Sequence, residues 1–128
     1  VAREGKLLQP GSVHVAPDDF HLGVSAARRT IAIRTEPVNG FRPSTSVLFE
    51  SAANAYAARL ACVILTGMGN DGASGLRRVK DRDGYVIAPD EASSLIYGTL
   101  REAINAGLVD VSLPLDLIAE YMNVLANK

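Results

Sequence analysis

An apolar run, Ala61-Cys62-Val63-Ile64-Leu65, leads into Thr66-Gly67-Met68-Gly69-Asn70-Asp71-Gly72, and a segment with helical periodicity follows. A short apolar strand that turns on glycines into a helix is the working joint of an α/β sheet. Such joints carry either a phosphate cradle or a catalytic group. Asp71 stands on this one, and the two uses demand different partners.

The chain has 128 residues, 48% of them apolar, which is enough for one hydrophobic core and too much for a disordered tail. Its net charge of -1 offers no global field for nucleic acid or anionic lipid. Arg77, Arg78, Lys80 and Arg82 do cluster, but Asp81 and Asp83 interrupt them, so the stretch reads as a solvated helix face. The single cysteine, Cys62, has no disulfide partner and apolar neighbours; it reads as a strand-core thiol, which fits a reducing compartment. No apolar stretch is long enough to span a bilayer, so no direct membrane insertion is expected. The start, Val1-Ala2-Arg3-Glu4-Gly5, has neither an initiator methionine nor a signal-peptide core, and a piece of a longer protein is the expectation.

The pattern changes near residue 40. Residues 1–40 form a hairpin region, in which Ser12 to Ala16, Phe20 to Val24 and Thr30 to Arg34 are short runs separated by turn residues. Residues 41–128 form β-α units. Pro43 suits a first helical position, and Leu48, Ala52, Tyr56 and Leu60 recur at helical spacing. A strand over 61–66 follows, expected to be buried on both faces. Then come a helix through Ala73, Leu76 and Val79, a strand Tyr85 to Ala88, and a short helix opened by a Thr99/Glu102 capping box and closed by Gly107. Glu91 to Tyr97 reads as one or two helical turns. Val109 to Ser112 is the last strand, and a helix from Pro114 carries Leu117, Ile118, Tyr121 and Leu125 on one face. The fold class is therefore α/β: a doubly wound, mostly parallel sheet with an antiparallel hairpin in the N-terminal part.

The residues alone leave three uses for Asp71 open. Gly67-Met68-Gly69-Asn70-Asp71-Gly72 satisfies a dinucleotide fingerprint, with Asp90 near the place of a ribose-binding acid. A carboxylate beside two phosphates would repel them, which counts against that use. Asn70 or Asp71 capping the following helix is the plain structural use, worth about 1 kcal/mol. In the third, Asp71 is the acid of a Ser-His-Asp relay. It accepts the imidazole N–H and is kept ionised by exposed helix amides.

The stretch Ile64 to Ala73 resembles the hallmark segment of the catalytic domain of chemotaxis protein-glutamate methylesterases, the CheB family. The likeness continues through Pro10-Gly11-Ser12-Val13-His14-Val15-Ala16-Pro17, Asp19-Phe20-His21-Leu22, Arg42-Pro43-Ser44 and Val47-Leu48-Phe49. Further along it takes in Asp90-Glu91-Ala92-Ser93, Tyr97-Gly98, Arg101-Glu102-Ala103-Ile104 and Gly107, in collinear order over essentially the whole chain.

That resemblance implies a cytoplasmic serine hydrolase that demethylates glutamyl methyl esters on methyl-accepting chemotaxis receptors and often deamidates glutamines. It implies partnership with an N-terminal receiver domain, and neither cofactor nor metal. Asp71 matches the relay acid; Met68, with Gly67 and Gly69, matches the oxyanion side; His21 and Arg42 are candidate rim or support groups, His21 matching a histidine outside the relay. The relay serine and histidine precede the matched motifs in the family. None of Ser12, Ser25, Ser44, Ser46, Ser51 or Ser74 sits in a nucleophile-elbow turn, and His14 reads as a strand-face residue. The 128 residues are thus expected to be a partial catalytic domain, inactive alone. The chain departs from the family at Ser46, usually acidic, at Pro89, usually glutamine, and at Thr99-Leu100, usually methionine-proline. Those departures keep a second reading open, a non-catalytic remnant that binds a receiver domain or a receptor helix.

Overall fold

The structure, a computed structural model, describes residues 1–65, 71–92 and 98–127. The N-terminal part holds one hairpin, β1 (His21–Val24) and β2 (Thr30–Ile33), antiparallel with His21 opposite Ile33 and Val24 opposite Thr30. Ser12 to Ala16, expected as a strand, is irregular instead, and both Val13 and Val15 face solvent. Residues 5–8, and not this segment, pair beside the start of β2, at residues 28–30. Gly5 N–H donates to the Thr30 carbonyl, Thr30 N–H to Lys6, and Leu8 N–H to Arg28, at 2.8 to 2.9 Å. Alternation in a sequence makes a strand only where a ladder partner is left to take it.

Helix α1 (Thr45–Tyr56) starts from Ser44, whose extended backbone and side-chain oxygen cap it by accepting from Val47 N–H at 3.4 Å. Pro43 therefore lies just outside the helix and not at its first position. The buried face also differs from the expected one: Ser46, Phe49, Ala52 and Ala53 are buried, Leu48 and Tyr56 only half so, and Leu60 lies beyond the helix. Two contacts explain the change, since α1 packs on α2 (Ala73–Asp81) along one side and on β1 along another. The α1–α2 contact is close because Gly75 has no side chain; a Cβ there would stand 2.8 Å from Phe49 Cβ and 2.9 Å from Ser46 Cα. A sequence period that tracks large apolar residues misses a face built from serine, alanine and glycine.

The main sheet is parallel, ordered β3 (Ala61–Val63), β4 (Tyr85–Pro89), β5 (Val111–Leu113), with Cys62 opposite Val86 and Ala88 opposite Ser112. In that order, two right-handed crossovers return on the same face, and α2 and α3 (Gly98–Asn105) do so. Leu76 and Val79 of α2, with Leu100 and Ala103 of α3, form one core with Cys62, Ile64 and Val86. α4 (Ile118–Ala126) covers the other face, where the Tyr121 and Tyr85 hydroxyls meet at 2.7 Å.

The expectation that the strand over 61–66 is buried on both faces does not hold among the described residues. Cys62 and Ile64 point into the core, but Leu65 is 51% exposed and Ala61 is exposed. Thr66 lies outside the described residues, as does most of the Glu91 to Tyr97 segment. α3 already includes Gly98, so Thr99 falls inside the helix and not at its cap, a difference of two residues. Gly107 closes it as expected: at φ 75° it donates to Ile104 while Leu108 N–H donates to Ala103, both at 3.0 Å. Of the basic cluster, Lys80 grips Asp110 at 2.6 Å and the three arginines are exposed. No described helix is long and apolar enough to cross a membrane.

Candidate active site

Asp71 is 2% exposed, a buried carboxylate at the turn that starts α2. It does not cap that helix. The N-cap of α2 is Gly72, left-handed at φ 94° and without a side-chain cap, and the Asp71 carboxylate turns instead to the N-terminus of α1. There Oδ1 accepts from the Ser44 hydroxyl at 2.7 Å, Asn39 Nδ2 at 3.3 Å and Ser46 N–H at 3.4 Å, while Oδ2 accepts from Thr45 N–H at 2.5 Å. The exposed amides that keep the acid ionised belong to the neighbouring helix.

Burial pushes the Asp71 carboxyl up, but the Ser44 hydroxyl, the Thr45 amide, the Asn39 side chain and the Ser46 amide together outweigh it and hold the pKa below the usual carboxylate range. The partial positive charge at the start of α1 acts in the same direction. The result is a buried anion with directed partners on both oxygens. It can orient a donor, and it makes a poor neighbour for phosphate.

Two elements present these donors, and a third is tied to them. The Asn39-Gly40 pair forms a tight turn, with φ of 55° and 82°, closed by Val38 and Phe41, which each donate to the other at 2.9 and 3.0 Å. This places the Asn39 amide over Asp71. Ser44 to Ser46 are the capping turn of α1. Ser46 Oγ accepts from Gly72 N–H at 2.8 Å and from the Ser74 hydroxyl at 3.1 Å, so the first turns of α1 and α2 are tied together beside the carboxylate. Asn39, Ser44 and Thr45 were not singled out as site residues from the sequence. The Asn-Gly turn and a serine after proline before a helix were the available signals.

Two other candidates occupy supporting places. His21 is 1% exposed beneath α1, with Nε2 2.8 Å from the Glu36 carbonyl and Nδ1 accepting from Ser44 N–H at 3.2 Å. Arg42 is held by Asp19 through Nε and Nη2, at 2.8 and 2.6 Å, and donates to the Thr35 carbonyl at 3.2 Å. Asp19 also binds Arg34 at 2.7 Å, and the Arg34 and Arg42 guanidiniums hold its carboxyl below the usual range. Arg42 thereby braces the loop before Pro43. Met68, Gly67 and Gly69 lie outside the described residues.

His14, expected on a strand face, is in the irregular segment, 3.4 Å from Ser12 Oγ. Ser12 belongs to that same segment, Ser25 to the hairpin turn, Ser44 to a cap, and Ser46, Ser51 and Ser74 to helices. None of these six stands on a strand-to-helix elbow. Burial pushes the Cys62 thiol up to about 12, so it is no nucleophile. No group of three metal-binding side chains exists among the described residues.

A model of the family described as CheB methylesterase matches residues 1–122. The chain belongs to the CheB methylesterase family. It is 50% identical over 126 residues to a protein-glutamate methylesterase/protein-glutamine glutaminase of Rhizobium meliloti, covering 98% of this chain and 36% of that protein. It is 41% identical over 121 residues to a second such protein from Pseudomonas aeruginosa, covering 92% of this chain and 35% of that one. The crystal structure of the Thermotoga maritima CheB methylesterase catalytic domain superposes with a TM-score of 0.88 at 34% identity, over 99% of this chain and 68% of that domain. The chain thus spans about a third of the length of these curated relatives.

The positions read from the sequence as differing from the family have these places in the fold: Ser46 Oγ accepts from Gly72 N–H at 2.8 Å, Pro89 lies buried in β4 with its carbonyl accepting from Ser112 Oγ at 3.2 Å, and Leu100 is 2% exposed in the core.

Proposed function

We propose that these residues are part of the catalytic domain of a cytoplasmic protein-glutamate methylesterase, and that Asp71 is the acid of its Ser-His-Asp relay. The observation that carries this reading is the Asp71 carboxylate: buried, ionised, and anchored by four donors that leave Oδ2 with a single partner among the described residues. A carboxylate oxygen has two lone-pair directions, so Oδ2 can also take an imidazole N–H. An acid so placed fixes the tautomer of a histidine and stabilises the imidazolium formed during attack.

In the proposed reaction the serine oxygen attacks the carbonyl of a glutamyl methyl ester while the imidazole takes its proton. The imidazolium then returns a proton to the departing methoxide, releasing methanol. Water hydrolyses the acyl-enzyme to a free glutamate side chain by the same exchange. Asp71 stays ionised throughout. We assign the serine and the relay histidine to the part of the family's domain that residues 1–128 do not span, and the oxyanion side to the segment of Gly67, Met68 and Gly69. The substrates of this reading are chemotaxis-receptor glutamyl esters, with glutamine deamidation as a second use of the site, and the regulatory partner is a receiver domain.

The test is ester cleavage by a protein that joins residues 1–128 to the rest of the domain, compared with its Asp71→Asn variant. Loss of turnover with an intact fold supports the relay role, and unchanged turnover removes Asp71 from it. Residues 1–128 alone should show no esterase activity and no labelling by a serine-directed inhibitor.

A further inference from the structure

Two neighbours fix the tautomer of His21. A carbonyl oxygen only accepts, so the Glu36 carbonyl at 2.8 Å requires the proton on Nε2. Nδ1 of the neutral ring then presents a lone pair, and Ser44 N–H at 3.2 Å donates into it. The ring is satisfied at both ends, and it grips the residue whose hydroxyl binds Asp71. Ser44 has one hydroxyl proton, given to Asp71 Oδ1 at 2.7 Å, while its oxygen accepts from Val47 N–H. A buried path of three polar residues therefore runs from the hairpin to the carboxylate, with His21 1%, Ser44 2% and Asp71 2% exposed.

We propose that His21 is a positioning residue for Asp71, fixing through the Ser44 amide the direction of the Ser44 hydroxyl and of the first amides of α1. The geometry makes the demand specific. Ser44 is an N-cap with extended backbone, φ −104° and ψ 131°, so its own N–H finds no partner in the helix it caps. His21 Nδ1 supplies that partner from β1. Without it the capping turn is free to rotate, and the Ser44, Thr45 and Ser46 donors move together because they belong to one turn. The consequence for turnover rests on the relay role proposed for Asp71; the link between His21 and Asp71 does not.

Three substitutions separate this role from packing. His21→Phe keeps a ring and removes both nitrogens, His21→Asn can place its Oδ1 where Nδ1 accepts, and His21→Gln reaches only towards the Nε2 position. In the 128-residue chain, the Asp71 carboxyl is titrated by carbon-13 NMR, and the imidazole tautomer is read from nitrogen-15 shifts. We expect the Nε2–H tautomer in the native protein, a raised Asp71 pKa in His21→Phe and His21→Gln, and a return towards the native value in His21→Asn. A role in packing alone predicts a lower melting temperature with an unchanged Asp71 titration in whichever variants fold, and that result overturns the proposal. Should His21→Phe fail to fold, the Asn and Gln pair and the native tautomer still decide; an Nδ1–H tautomer overturns it outright. In the protein with the complete domain, kcat should fall in His21→Gln with KM unchanged and recover in part in His21→Asn. An Asp71 titration that follows His21 without any change in kcat supports the link and counts against the relay reading instead.

Discussion

The two halves of this chain are held together by different forces. From residue 41 onward the structure rests on apolar burial: Ile64, Leu76, Val79, Val86 and Ile87 are at most 1% exposed. Before residue 41 the fixed points are largely polar. Thr30 bonds the Arg3 carbonyl and Lys6 N–H, Arg29 the Gly5 carbonyl, Asp19 two arginines, and His21 the Glu36 carbonyl. Asp71 belongs to the apolar half by sequence, yet its donors come from residue 39 and from the capping turn of α1, where the halves meet. A greasy layer fixes where the acid sits, and directional bonds fix which way it points. Dispersion and hydrophobic burial are nearly isotropic, whereas a hydrogen bond has an angle.

Removing the charge at the meeting point should give the largest effect. In a protein with the complete domain, Asp71→Asn is expected to lower kcat by roughly 10⁴, the scale of other Ser-His-Asp relays, with the fold retained. Circular dichroism beside steady-state kinetics checks both parts. Cutting the apolar half comes next. Ile87→Ala should cost about 3 to 5 kcal/mol in urea unfolding, while Leu22→Ala in the hairpin should cost about 2, because it borders a surface pocket of about 150 Å³ that is open to water. Equal costs would break the contrast between the halves.

A smaller effect is expected at the α1–α2 contact. Gly75→Ala adds a methyl against Phe49 and the Ser46 backbone, and overpacking of this kind costs about 1 to 3 kcal/mol. Because Ser46 also touches Asp71, the carboxylate should lose order too, visible as a shifted carbon-13 resonance. Ser44→Ala should cost about 1 kcal/mol as a lost cap, and it should raise the Asp71 pKa by removing its hydroxyl donor.

The pH dependence has a definite sign. The folded pKa of Asp71 lies below its unfolded value of about 3.9, so its ionisation stabilises the fold fully above that value and loses the contribution as pH falls through the folded pKa. The stability gap between native protein and Asp71→Asn should be flat from pH 7 to 5 and close below about pH 4. The smallest effect belongs to the surface. Arg34→Ala should leave the melting temperature unchanged, since its pairing with Asp19 is solvent-exposed and Arg42 remains.

The sequence by itself determined the order of the elements in the larger half and the place of Asp71 on a strand-to-helix joint. Those features are local: a strand of apolar residues, glycines that permit the turn, and a glycine that stops α3. The sequence misjudged Ser12 to Ala16, whose alternating pattern is real but which forms no strand, and of the face it read on Leu48, Ala52, Tyr56 and Leu60 only Ala52 is buried within α1. It read two-sided cover for β3, where the described structure supplies one. Only the tertiary structure decided that Asp71 turns away from its own helix and towards α1. Its donors are 25 to 32 residues distant along the chain. Spacing within a segment carries no record of such contacts, because two elements packed side by side bring residues together by shape, and here a glycine at 75 and a serine at 46 set how closely they approach.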